Sequence, residues 1–137
     1  MSTVERYEQL LAFISTHMPE PWTQDDVDGV VIFTGGSPSE VVVRLTDTAV
    51  IVEEYAVKWE RSHMPVMRPR RVGIVKWRQL PESQLMTIIG ELIKGARETR
   101  RARYHTCRFC GRTRPPEWMA DDGICQRCSD RDVTRVH

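Results

Sequence analysis

GVVIFTGGSPSEVVVRLTDTAVIVEEYAVKWE, Gly29 to Glu60, is dense in Val, Ile, Phe and Tyr and is broken only by short groups of turn residues. That texture reads as consecutive short strands. One is expected near Val30–Thr34, a second at Glu40–Thr46 and a third at Ala49–Trp59. Turns at Gly35–Ser39 and Thr46–Thr48 join them. Connections this short require antiparallel pairing, so the stretch predicts a meander. In the second strand Val41, Val43 and Leu45 alternate with Glu40, Val42, Arg44 and Thr46, which predicts one buried face. In the third, Ile51, Tyr55, Val57 and Trp59 share a face, and Glu53 interrupts it as a bulge or an exposed end would.

A sheet with one apolar face needs a cover, and the flanking sequence offers two helices. Ser2 followed by Glu5 fits a capping box. Val4, Tyr7, Leu11 and Ile14 then recur at helical spacing until Pro19 and Pro21 end the pattern. On the far side, His63–Arg70 carries two prolines and no periodicity and reads as a loop. A fourth strand is expected at Arg71–Trp77, then a helix from about Pro81 with Leu85, Ile88, Ile89, Leu92 and Ala96 as its stripe. Arg100 and Arg103 fall on or beside that stripe, which suggests that by residue 100 the helix has run past the sheet or ended. The fold class is therefore α+β: an N-terminal helix, a four-stranded antiparallel meander, a long helix and a C-terminal cysteine module. Residues 1–100 form the expected helix–sheet–helix domain, and 101–137 a basic bridge with the finger.

Charge divides the chain in the same way. Residues 1–60 carry a net charge of −8 and residues 61–137 a net +9, although the whole 137-residue chain is only +1. Either the halves attract each other or the second half presents a basic face. From Lys94 to Arg114 eight cations face one acid, Glu98.

All four cysteines lie between residues 107 and 128, as two Cys-x-x-Cys pairs: Cys107 with Cys110, and Cys125 with Cys128. The N-terminus has an acid before any apolar stretch and so does not read as a secretory signal. That reading places the chain in the cytoplasm, where thiols stay reduced and paired knuckles bind metal. Four thiolates make a closed tetrahedral shell suited to one structural Zn²⁺. Gly111 and Gly123 fit the knuckle turns, and His105 and His137 are not needed as ligands.

With those residues in place, CRFCG followed by GICQRC resembles a four-cysteine zinc ribbon or treble-clef finger over residues 105–130. It is locally similar to the zinc knuckle of a ribosomal-protein family of the small subunit, whose members contact RNA. The resemblance implies zinc ligation by Cys107, Cys110, Cys125 and Cys128. A treble clef would continue from the second pair into a helix over SDRDVTRV, and a ribbon into a hairpin. The loop RTRPPEWMADD departs from the ribosomal pattern, so RNA contact does not follow from it. Residues 1–100 carry no such resemblance.

The expected function is binding, not catalysis. Asp25, Asp26 and Asp28 read as a solvated turn, and GGSPSE lacks the lysine of a phosphate loop. The main expectation is a zinc-containing adaptor or regulatory module with a protein partner. The alternative is RNA or DNA binding. The contact residues for either are Lys94, Arg97, Arg101, Arg103, Arg108, Arg112, Arg114 and Trp118. No small-molecule substrate is indicated, and no apolar run approaches the ~20 residues of a membrane span.

Overall fold

The structure, a computed structural model, describes residues 2–60, 64–120 and 123–135. Helix α1 spans Thr3–His17. The Ser2 hydroxyl accepts the Glu5 backbone N–H at 3.1 Å, as a cap should, and the chain leaves the helix at Met18, just before Pro19. Strands β1 (Trp22–Val27), β2 (Val30–Gly36), β3 (Ser39–Leu45), β4 (Val50–Glu54) and β7 (Arg70–Val75) form one antiparallel sheet in the order β1-β2-β3-β4-β7. Strands β5 (Val57–Glu60) and β6 (Met64–Met67) form a separate hairpin between β4 and β7. Helix α2 runs from Glu82 to Ala102 and crosses β3, β4 and β7, with α1 packed beside it.

The core lies between the two helices and one sheet face. Leu10 and Ile14 from α1 and Leu85, Ile89, Ile93 and Ala96 from α2 meet Phe33, Val41, Val43, Leu45, Val50 and Val52. Trp77, just after β7, is buried and donates its indole N–H to the Thr46 carbonyl at 3.0 Å. The Thr46 hydroxyl in turn accepts the Ala49 N–H at 2.9 Å, which fixes the tight turn between β3 and β4.

The α+β class and the helix–sheet–helix order are as expected, with four differences in detail. The sheet has a fifth strand. The aspartates of β1 suggest a solvated turn, yet Asp28 (φ 53°) and Gly29 (φ 79°) form the positive-φ pair of a tight hairpin between β1 and β2. The acids sit on an exposed edge strand, where charge discourages pairing with other chains. The expected third strand, Ala49–Trp59, is two strands. Its register shifts between Val52 and Glu53, so Val50 and Val52 face the core instead of the Ile51 set, and the chain breaks at Tyr55–Ala56. Half of the expected loop over His63–Arg70 is β6, Met64–Met67, and Arg70 already opens β7; His63 lies outside the described residues. Finally, β3 is buried on both faces, because Val42 is enclosed on the side that carries the Arg44–Glu53 ion pair.

Gly95 lies inside α2, and a β-carbon there would meet nothing within 4 Å. Gly95→Ala is predicted to stabilise the protein by about 0.5–1 kcal/mol through helix propensity alone. A raised urea midpoint with an unchanged slope would verify it, and a lowered midpoint would show a packing demand absent from this geometry.

Candidate metal centre

After α2 the chain makes a two-residue ladder, β8 (His105–Thr106) with β9 (Thr113–Arg114), around the first cysteine pair. The knuckle closes through Gly111 N–H to the Cys107 carbonyl at 2.9 Å, and Gly111 has φ 74°. Gly123 has φ 72°, and its carbonyl accepts the Arg108 N–H at 3.0 Å, joining the approach to the second pair with the first knuckle. Between them Pro116–Trp118 make one 3₁₀ turn. The second pair opens helix α3, Gln126–Arg135; Ser129 donates to the Cys125 carbonyl at 2.9 Å in its first turn. The sequence left hairpin and helix open here, and the structure has the helix.

All four sulfurs lie within 4.8 Å of one another, with Cys110 and Cys125 Sγ 3.9 Å apart. A tetrahedral ion with metal–sulfur bonds of about 2.3 Å needs sulfur–sulfur edges of about 3.8 Å, so the donor set fits a metal ion. All four thiols are free. The Cys110 and Cys125 backbone N–H groups donate to the Cys107 sulfur, Cys125 at 3.3 Å, and hold that thiol down at about 6. Cys125 is lowered chiefly by the Cys128 backbone N–H at the start of α3. Cys128 is pushed up to about 12, first by its hydrogen bond to the Cys125 sulfur.

The finger is keyed into the rest of the chain by Arg100. Its side chain is only 2% exposed. Its guanidinium grips both carboxylate oxygens of Glu117 in the 3₁₀ turn, and its Nε donates to the Ser39 carbonyl at 3.1 Å. The Tyr55 and Tyr104 rings each lie 5.2 Å from it. Burial raises the Tyr104 phenol above its usual value, and Arg100 opposes that shift. So α2 has not run past the sheet at residue 100. Arg100 extends the apolar stripe four residues beyond Ala96, and its charge is met from the finger.

The basic bridge is largely answered from inside. Arg97 Nε donates to Glu40 at 2.8 Å, and Arg101 binds the other oxygen of Glu40 at 3.0 Å. Arg103 donates to the buried Glu54 at 2.8 Å. Among the described residues Lys94, Arg108, Arg112 and Arg114 have no ion pair. Arg108 lies over exposed Phe109, and Arg114 lies over Trp118. Arg112, Arg114 and Arg127 border the cysteines. His105 is exposed on β8, and His137 lies outside the described residues. The sequence reading did not single out Glu40, Glu54, Glu117 or Arg127 as functional. The period of the α2 stripe was the one signal that placed Arg100 inward.

Compared with known proteins, the chain matches no family model, no curated protein and no solved structure. No helix among the described residues is long and apolar enough to cross a membrane.

A metal needs four thiolates, and the Cys128 thiol, at about 12, keeps its proton throughout the neutral range. Metal affinity is therefore predicted to rise about tenfold or more per pH unit near neutrality, and more steeply below about 6, where Cys107 also holds a proton. Competition against a chromophoric chelator across that range measures the slope; a pH-independent affinity would contradict it.

Proposed function

We propose that this chain is a non-enzymatic zinc protein whose finger, stapled by one structural Zn²⁺, completes an interaction module that docks a protein partner. The observation that carries the reading is the closed cluster of Cys107, Cys110, Cys125 and Cys128, which leaves a tetrahedral ion no open position for water or substrate. When bound, the ion supplies folding energy. A finger whose buried residues are few gains its order from metal ligation, in the manner of a treble clef. Reduced thiols suit a cytoplasmic setting. The paired acids favour a structural role as well, because Glu40, Glu54 and Glu117 are each committed to arginine.

Nucleic-acid binding is the second reading, favoured by unpaired Arg108, Arg112 and Arg114 beside exposed Phe109 and Trp118. It ranks below protein docking because Arg97, Arg101 and Arg103 are spent on Glu40 and Glu54, which removes much of the basic field. Residues 1–100 act as the supporting body and 101–137 as the metal-dependent part.

One zinc per chain is expected by elemental analysis. Chelation should shift the Trp118 indole resonance and erase amide protection over 105–130. The Trp77 indole, hydrogen-bonded inside the core, should stay in place in a body that is less stable but still folded. An unmoved Trp118 would show that metal does not hold the finger. Simultaneous loss of Trp77 would show that the chain folds as one unit.

A further inference from the structure

The finger and the body leave a groove of about 490 Å³ between them. Tyr55, just after β4, Trp59 from β5, Pro65 from β6 and Pro38 from the β2–β3 turn line it from the body, and Trp118 lines it from the finger. Trp59 and Trp118 are 44% and 45% exposed, the arrangement of anchors waiting for contact and not of a closed core. Rings and prolines lose little freedom on binding, so the groove is preformed for a ligand that is itself stiff.

Hydrogen-bonding capacity narrows the ligand. The indole N–H groups of Trp59 and Trp118 and the Tyr55 hydroxyl have no partner among the described residues, whereas Trp77 donates to a carbonyl. The groove thus offers donors among rings and prolines. A polyproline-type helix is the complement: its carbonyls are free, and its proline residues bring no N–H that burial would strand.

Charge sets the direction. Glu117 in the wall is neutralised by Arg100. The adjoining hollow of about 270 Å³ shares Trp118 and Gln126 with the groove and is bordered by Arg114 and Arg127. With zinc bound, the four thiolates leave the cluster at −2 against Arg112, Arg114 and Arg127, so the groove is uncharged along its floor and keeps a net charge of about +1 at one end. A nucleic acid strand would carry a phosphate at every step along that floor, so this distribution favours a peptide with its acid at one end.

We infer that this groove docks an extended, proline-bearing segment of a partner protein, with an acidic residue of that segment reaching Arg114 and Arg127. The inference rests on the protein-docking reading above and adds the site and the chemistry of the partner. It also makes docking metal-dependent, because one wall belongs to the finger.

The test uses the full zinc-loaded chain and fluorescein-labelled decaproline peptides carrying two aspartates, or two lysines, at one end or the other. A Gly-Ser peptide of equal length and oligo-dT and oligo-U strands are the controls. Anisotropy should show saturable binding of decaproline, tightest with aspartates at one particular end, by about fivefold or more over lysines. Arg114→Gln with Arg127→Gln should erase that preference and leave decaproline binding. Trp59→Ala and Trp118→Ala should each weaken binding about tenfold or more with zinc still at one per chain. Absence of saturable proline-peptide binding up to about 1 mM on zinc-loaded protein would overturn the inference while the zinc reading stands. Tighter, steeply salt-dependent binding of the single strands, lost with Trp118→Ala, would overturn it in favour of nucleic acid. Substoichiometric zinc in the starting protein would instead refute the metal reading itself.

Discussion

A charge removed from water is costly unless it is paired with good geometry, and Arg100 is the place where this chain meets that condition. The guanidinium sits at the end of the α2 stripe with both oxygens of Glu117, a backbone carbonyl and two tyrosine rings around it. Those partners come from four places: the start of β3, the end of β4, the end of α2 and the finger. Each must be positioned before the pair is complete. Glu117 has its place because Pro116–Trp118 form a 3₁₀ turn, and that turn is held between two cysteine knuckles. The chain of dependence therefore runs from the cysteine knuckles, through the 3₁₀ turn between them, to a buried ion pair and to the end of the central helix.

The charge asymmetry of the sequence has the same logic. The acidic half supplies Glu40 and Glu54, buried at neighbouring positions of β3 and β4. The basic half supplies Arg97, Arg101, Arg103 and Arg70 to meet them. Arg101 and Arg70 are more than half exposed, so their pairs are screened and worth little each. The buried acids still need partners, and the cations stand where they can supply them. Of the cations without an ion pair among the described residues, Arg112, Arg114 and Arg127 border the cysteines, and Arg114 lies over Trp118.

Much of the architecture was legible because it depends on local pattern. Alternation in Val41–Leu45, the stripe from Leu85 to Ala96 and the spacing of the cysteines each follow from one element's own geometry. The missed features depend on partners distant in sequence. Nothing local says that the TQDDV edge strand pairs when its aspartates suggest solvent, although the Asp28–Gly29 turn was a usable sign. Nothing local says that the chain leaves the sheet at Tyr55 and returns at Arg70. Arg100 was visible as an inward-facing residue but not as a buried one, because its counter-charge lies 17 residues away in a turn between the cysteine knuckles.

The double-mutant cycle of Arg100→Met and Glu117→Met, read by urea unfolding of the zinc-loaded chain, tests the central dependence most directly. Each single change strands a buried charge and should cost about 3–5 kcal/mol. The double change should cost no more than either single one, giving a coupling of about 3 kcal/mol or more. Additive costs, or single costs below about 1 kcal/mol, would contradict the claim that this pair keys the finger to the body.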